Sequence, residues 1–270
     1  MALALGGCAS IEPQPQQPGR SLQSVTAFSL AQPNGNLPGG WQPWRLSKLK
    51  RLTSYELVNF DGTVVVKALS AASASGLRHP LDVDPRETPI LQWRWKVPKL
   101  IPGADNARSS TEDAPVRVVL SFDGDIETLP LEERMFFDRI HAITGHRMPY
   151  ATLMYIWENR AERGRVIQNP HTARVQMVVA ESGPARTGTW KLESQNVYED
   201  YKRAFGKPPG RIKAIAIMTD TDNTGETVEA FYGDIAFLTQ DEHARMSTRR
   251  APDSGVGPAS SNTAPTRAAP

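Results

Sequence analysis

The chain contains few cysteines, no long apolar segment and almost no net charge. One cysteine among 270 residues excludes an internal disulfide. No segment approaches the roughly 18 consecutive apolar residues that a membrane-spanning helix requires. Lys and Arg total 31 while Asp and Glu total 29, so the formal net charge is +2. Because nucleic-acid-binding domains have a larger basic excess, we expect no nucleic-acid partner.

The single cysteine, Cys8, lies in a segment that resembles a bacterial lipobox. Residues 5–8 read LGGC, and in lipoproteins a peptidase cleaves before such a cysteine, whose thiol then carries lipid. Residues 1–7 then correspond to a truncated signal peptide, since a complete one has a basic start and about 7–15 apolar residues, and the start codon is expected upstream. Ala9, rather than Asp, follows the cysteine, which favours the outer membrane.

We therefore predict lipidation at Cys8 and an outer-membrane lipoprotein on the periplasmic side of the bacterial envelope. The alternative is an unstructured N-terminus with one unpaired thiol. Composition distinguishes both terminal segments from the middle of the chain. Residues 8–44 and 241–270 are rich in Pro, Gly, Ser and other small or polar residues. Such segments bury too little apolar surface to fold. We predict a disordered tether over 8–44, one folded domain over 45–240 and a disordered tail over 241–270.

Nine short β-rich segments lie between turn signals in the predicted domain. They are Tyr55–Phe60, Thr63–Leu69, Ile90–Val97, Val116–Phe122, Ala151–Trp157, Ala173–Ala180, Thr189–Val197, Ile212–Met218 and Val228–Leu238. Helical patterns are confined to residues 131–143 and 198–205, where Asn196 and Glu199 have the spacing of a capping box. The whole pattern predicts a mainly β protein, a jelly-roll-like β-sandwich similar to carbohydrate-binding modules, with one or two short helices.

Alternation of apolar and polar residues indicates which side chains enter the core. Trp93 and Trp95 share the apolar face of their segment, so we expect both to be buried. Strict alternation in the last strand predicts that two sets of residues point in opposite directions, with Phe231, Ile235 and Phe237 on the core face and Tyr232 and Asp234 on the other face.

An acidic turn follows the strand Ile212–Met218. Asp220 and Asp222 have the alternate spacing found in the first half of a calcium loop, where oxygen ligands converge on one cation. Phe231 stands at the twelfth position, so the segment is not an EF-hand. Asp234 lies in a strand similar to those in which carbohydrate-binding sandwiches hold a structural calcium. These residues predict a calcium site of Asp220, Asp222 and Asp234; the alternative is that the carboxylates accept hydrogen bonds from nearby backbone amides.

Aromatic residues near loops and strand ends are candidate glycan contacts, because the C–H faces of pyranose rings stack on aromatic side chains. The predicted ligand-binding residues are Tyr150, Trp190, Tyr198 and Tyr201, and Trp41 and Trp44 have similar positions. Signals of catalysis are few. The serines lack a Gly-x-Ser-x-Gly elbow and the histidines lack a His-Glu-x-x-His pattern, so we assign no catalytic residue.

Several motifs in fixed order resemble one bacterial family, the domain of unknown function 3047. They are LQWRWKV at 91–97, YATLMYIW at 150–157, NVYEDY at 196–201, IAIMTDTDNT at 215–224 and YGDI at 232–235. The resemblance covers roughly residues 44–240. It implies a secreted or envelope-associated bacterial protein with a β-sandwich domain, and it implies no activity.

Three functions are compatible with these observations. We expect first a non-catalytic, envelope-anchored domain that binds a glycan or a cell-wall polymer. The second is a structural envelope protein whose partner is another protein. The third is a polysaccharide hydrolase or lyase that uses Asp220, Asp222 or Asp123 as acid and base. Two carboxylates about 5–10 Å apart in a cleft would favour the enzyme.

Overall fold

Two β-sheets packed face to face form the domain in the computed structural model, which describes residues 24–145 and 147–250. The twelve strands among these residues are β1 (Gln42–Trp44), β2 (Ser54–Phe60), β3 (Thr63–Ala71), β4 (Ala74–Val83), β5 (Ile90–Lys96), β6 (Ala114–Phe122), β7 (Ala151–Glu158), β8 (Val166–Gln168), β9 (Val175–Ser182), β10 (Lys191–Asn196), β11 (Ile212–Asp220) and β12 (Thr227–Leu238). The larger sheet has the order β1-β4-β11-β6-β7-β9-β8, and the smaller sheet has the order β10-β5-β12-β3-β2. All neighbours are antiparallel except β7 and β9. The predicted mainly β sandwich is confirmed.

Three α-helices accompany the sheets: α1 (Leu131–Thr144), α2 (Val197–Phe205) and α3 (Gln240–Arg250). The first two were predicted, and the side chain of Asn196 caps α2 by accepting a hydrogen bond from the Glu199 amide at 3.1 Å. The third lies in the segment expected to be a disordered tail. None of the described helices is long and apolar enough to cross a membrane.

Three strands, β1, β4 and β8, were not predicted, and β4 shows why. It contains Pro80, which cannot donate a hydrogen bond to a neighbouring strand and normally argues against a central strand. In the structure Pro80 lies where the pairing with β11 shifts, between Ile212 and Ala214. The irregular register accommodates the proline, so β4 pairs with both β1 and β11.

Tryptophan rings from both sheets meet in the core. Trp93 and Trp95 of β5 are buried, as predicted, and their ring centroids lie 5.2 Å apart. On the facing sheet, the ring centroid of Tyr155 in β7 lies 5.0 Å from that of Trp93. The ring centroid of Trp157, also in β7, lies 6.4 Å from that of Trp95. Large aromatic side chains of β5 and β7 therefore hold the two sheets together.

The prediction for the faces of β12 was correct for Ile235 and Phe237 but wrong for Phe231 and Tyr232, because a β-bulge interrupts the alternation. Tyr232 pairs with Trp95 and Ile235 pairs with Trp93, so two residues of β12 stand opposite the single residue Arg94. The extra residue returns Ile235 to the side of Tyr232, and both enter the core. Phe231 instead packs outside the core against Phe60, at a centroid distance of 4.9 Å.

The expected boundary between tether and domain at residue 44 was also wrong. Phe28 and Trp41 are buried, with ring centroids 4.6 Å apart, and the Trp41 indole donates a 2.9 Å hydrogen bond to the Thr26 carbonyl. Asp234 at the bulge accepts hydrogen bonds from the amide and hydroxyl of Ser29, at 3.0 and 2.6 Å. The residues from 24 onward thus belong to the folded domain. Cys8, the rest of residues 1–23 and residues 251–270 lie outside the described part of the chain.

Replacing Trp95 with Ala should lower the free energy of unfolding by about 3–5 kcal/mol, since the lost ring leaves a cavity between the sheets. Urea denaturation followed by tryptophan fluorescence measures the change. Trp190→Ala is the matched control, because Trp190 is only half-buried and lies outside the core. Equal losses in the two variants would contradict the assignment of Trp95 to the core.

Candidate functional site

A groove of about 1070 Å³ crosses the outer face of the larger sheet. The floor of the groove is formed by the outward-facing residues of the sheet. In β6, Val118 and Leu120 enter the core while Val119 and Ser121 point outward into the groove, as the alternation of side chains along a strand requires. The neighbouring strands β4, β11 and β7 contribute further floor residues, which are Arg78, Lys213, Thr152 and Met154.

Two walls border this floor. Trp44, Arg45 and Leu46, at the end of β1, form one wall, and α1 with the segment 147–150 forms the other. Gly76 of β4 permits the first wall, because a Cβ atom there would lie 2.5 Å from the Ile217 carbonyl oxygen and 3.0 Å from the Trp44 ring. The indole of Trp44 consequently lies against the sheet and remains half-exposed at the groove.

The groove is basic. Arg45, Arg78 and Arg147 line it, and their guanidinium groups have no hydrogen-bond or ion-pair partner among the described residues. Burial lowers the pKa of the half-buried Arg78 guanidinium. Asp123 is the only carboxylate among the described lining residues, and its Oδ1 accepts a hydrogen bond from the backbone amide of Arg211 at 2.6 Å.

Tyr150, a predicted ligand-binding residue, lies at the groove but offers little surface. Its ring is buried beneath two cations, with the Arg174 guanidinium 4.3 Å and the Lys207 ammonium 4.7 Å from the ring centroid. Its hydroxyl accepts a hydrogen bond from Lys207. Burial by itself raises the pKa of Tyr150, but the hydrogen bond from Lys207 and the nearby positive charges outweigh it, so the pKa is lowered. Gly124 makes room for this ring, because a Cβ atom there would collide with it.

The other three predicted aromatic residues lie elsewhere. Tyr201 is buried in the core beside Phe122, at a centroid distance of 4.6 Å, so it cannot contact a glycan. Tyr198 is on α2, outside the groove lining. Trp190 packs on the opposite sheet, where its ring lies 4.9 Å from the Arg94 guanidinium. Trp44 and Tyr150 are therefore the two sequence-predicted aromatic candidates that reach the groove.

Three acidic residues, Asp113, Asp220 and Asp222, form a cluster whose carboxylate oxygens lie within 4.8 Å of one another. Asp234 is not part of it, so the predicted calcium set was wrong in its third member. Asp234 belongs to the smaller sheet, and the bulge directs it toward Ser29.

Each carboxylate of the cluster already has a partner. Asp220 is buried against Arg117, with Nε at 2.9 Å from Oδ1, and Asp222 forms an ion pair with Lys50. Asp113 accepts hydrogen bonds from the amides of Asn223 and Thr224, at 3.3 and 2.7 Å. Burial raises the pKa of Asp220 to about 6, although the Arg117 charge opposes this shift. The arrangement matches the alternative of local ion pairs and capped amides, and the melting experiment below decides between that alternative and a calcium site.

The family model decides the classification, because it matches residues 39–236 of the chain. The chain belongs to the family described as protein of unknown function, DUF3047. In this DUF3047 protein the matched region begins before β1 and ends within β12. The groove lining, from Gln42 to Lys213, therefore lies wholly within the part of the chain that defines the family.

Comparison with curated proteins finds no match to the DUF3047 chain. Among solved structures, it is similar to the family 30 carbohydrate-binding module of cellulosomal cellulase Cel9D-Cel44B of Clostridium thermocellum. The sequence identity is 11%, the TM-score is 0.34, and the match covers 82% of this chain and 99% of that chain. A similarity this distant does not bear on the ligand.

Replacing Asp220 with Asn should lower the free energy of unfolding by about 3–5 kcal/mol, because it leaves the buried Arg117 charge without its main partner. Asp222→Asn is the control. It removes a more exposed ion pair with Lys50, for which we expect a loss of about 0–1 kcal/mol. Chemical denaturation of the parent and the two variants measures both changes in the free energy of unfolding. A larger loss in Asp222→Asn than in Asp220→Asn would contradict the assignment of Asp220 as the main partner of Arg117.

The parent and the Asp222→Asn variant also test whether the acidic cluster binds calcium. Because all three carboxylates have partners, we expect the parent to melt at the same temperature in EDTA and in millimolar calcium. An ion that binds only the folded state would raise the melting temperature. A rise in calcium that disappears in Asp222→Asn would overturn this expectation and establish a calcium site at the cluster.

Proposed function

We propose that this domain is a non-catalytic module that binds a polysaccharide in the groove of the larger sheet. The observation that carries the proposal is the half-exposed Trp44 indole beside guanidinium groups that have no partner among the described residues. Polysaccharides combine apolar C–H faces, which stack on aromatic rings, with hydroxyl groups, which accept hydrogen bonds. Each arginine supplies five N–H donors for that purpose.

The dimensions of the groove also favour a polymer. Small-molecule pockets usually have volumes of about 300–1000 Å³ and enclose most of the ligand. This groove, at about 1070 Å³, lies open across the strands of a sheet. A chain of sugar units can lie along such an open surface.

The lining residues argue against hydrolysis. Hydrolysis of a glycosidic bond ordinarily uses two carboxylates on either side of the bond. Asp123 is the only carboxylate among the described lining residues, and the predicted acid-base candidates Asp220 and Asp222 are held in ion pairs with Arg117 and Lys50. A module that binds without cleaving accounts for this arrangement.

Replacing Trp44 with Ala should weaken polysaccharide binding about tenfold, equivalent to ~1.4 kcal/mol, by removing the exposed ring from the groove wall. Affinity electrophoresis against a panel of neutral and acidic polysaccharides identifies the ligand, and calorimetry measures the loss. Trp190→Ala is the matched control on the opposite sheet and should bind like the parent.

Two results would contradict the proposal. Loss of binding in Trp190→Ala but not in Trp44→Ala would place the site on the smaller sheet. Shortening of the polymer during incubation, followed by size-exclusion chromatography, would show that the protein is an enzyme.

The second part of the proposal is attachment to the bacterial envelope through Cys8. The support is the lipobox-like segment 5–8 and the composition of the segment that follows it. When a signal sequence is placed before residue 1, the parent should incorporate radiolabelled palmitate and sediment with membranes, whereas Cys8→Ser should do neither. A parent that stays in the soluble fraction with a free Cys8 thiol would contradict lipid attachment.

A further inference from the structure

Two arginines on the outer face of the larger sheet differ sharply in their surroundings. Arg117 of β6 forms ion pairs with Asp220 and Glu112, at 2.9 and 3.2 Å. Arg78 of β4 points to the same side of the sheet and is half-buried, yet no carboxylate or carbonyl among the described residues accepts a hydrogen bond from it. The fold therefore neutralises one of these two charges and leaves the other available.

An unpaired charge that is partly withdrawn from water is unfavourable for folding, because lost hydration is not replaced by hydrogen bonds. The position of Arg78 does not require the charge, since its cross-strand neighbour on β11 is the small residue Ala216. Lys213, which also lines the groove, differs in that it bonds Asp82 at 3.1 Å. Arg78 thus has the character of a ligand-binding group rather than a structural one.

Arg45 and Arg147 extend this pattern to both walls. Arg45 follows Trp44 on the first wall, and Arg147 precedes β7 on the second. In the larger sheet, β7 is the fourth strand away from β1. Because neighbouring strands are spaced about 4.8 Å apart, β1 and β7 are roughly 19 Å apart. Cations on the floor and on both walls over such a span match a polymer with repeated negative charges better than one small anion.

We propose that the polysaccharide bound in the groove is anionic, and that Arg78, Arg45 and Arg147 bind the oxyanions along it. This inference rests on the proposed glycan-binding function and specifies its ligand. The planar guanidinium group forms paired hydrogen bonds with a carboxylate or a phosphate. Trp44 and the hydroxyl of Ser121 are then available to the uncharged parts of the sugar rings.

The test compares polymers with the same backbone and different charge. The full chain is titrated with polygalacturonate and with its fully methyl-esterified form, and the parent should bind the acid at least tenfold more tightly. Affinity for the acid should fall as sodium chloride is raised, since salt screens the attraction. Alginate, hyaluronan and a phosphomannan complete the acidic panel, and the phosphomannan distinguishes phosphate from carboxylate.

Variants identify the residues responsible. Arg78→Gln and Arg147→Gln should each weaken binding to the preferred acidic polymer several-fold, and the double variant should lose most of the preference for acid over ester. Arg160→Gln removes an exposed arginine outside the groove and should bind like the parent. Thermal melting separates a binding role from a structural one, because Arg78→Gln should melt at or above the temperature of the parent.

The outcomes separate this inference from the proposed function. Equal affinity for acid and ester, or binding to neutral polymers alone, would overturn the inference and leave glycan binding intact. Equal affinity for polyglutamate and an acidic polysaccharide would mean that charge alone is recognised, and absence of binding to every polysaccharide would also overturn the proposed function. A lower melting temperature in Arg78→Gln would show that Arg78 serves the fold.

Discussion

The packing of Trp93 and Trp95 against Tyr155 and Trp157 is the contact on which the rest of the structure depends. These rings fix the distance between the sheets, so the remaining inward residues of each strand have a defined space to fill. Alternation then determines the outward residues. On the larger sheet these are mostly apolar or small, and they need a cover on the side away from the core. The residues of β1 and α1 provide that cover in part, and the groove is the uncovered remainder.

The bulge in β12 connects the core to the N-terminal segment. It keeps Tyr232 and Ile235 on the core side while directing Asp234 toward Ser29. Gly233 is needed here, because a Cβ atom at this position would collide with the Arg94 side chain. Through Ser29, the bulge fixes the segment that continues to β1 and Trp44. One wall of the groove is thus held by a contact with the other sheet, which makes the site a property of the whole domain.

Local patterns predicted the parts of this structure that depend on local chemistry. Strand alternation found Trp93 and Trp95, and the capping pattern at Asn196 found the start of α2. The patterns failed where one residue is atypical of its element, as Pro80 is in the strand β4. They also failed where residues distant in the sequence determine which partner a side chain binds. The spacing of Asp220 and Asp222 correctly indicated a cluster, but Arg117 and Lys50 lie 103 and 172 residues away along the chain from the carboxylates they bind. No local signal could assign those partners.

The sequence indicated Trp44 and Tyr150 at the groove, but its arginines were beyond sequence reasoning for the same reason. Arg45, Arg78 and Arg147 belong to separate elements and form no motif, and a net charge of +2 conceals a local excess of positive charge. What distinguishes Arg78 from Arg117 is that no carboxylate among the described residues pairs with Arg78, which only the assembled sheet reveals. A buried charge that the fold itself neutralises contributes to specifying the structure, whereas a charge that the fold leaves unpaired is unfavourable until a ligand supplies the counter-charge. The same residue type on the same sheet face therefore serves the fold at Arg117, and we propose that it serves recognition at Arg78.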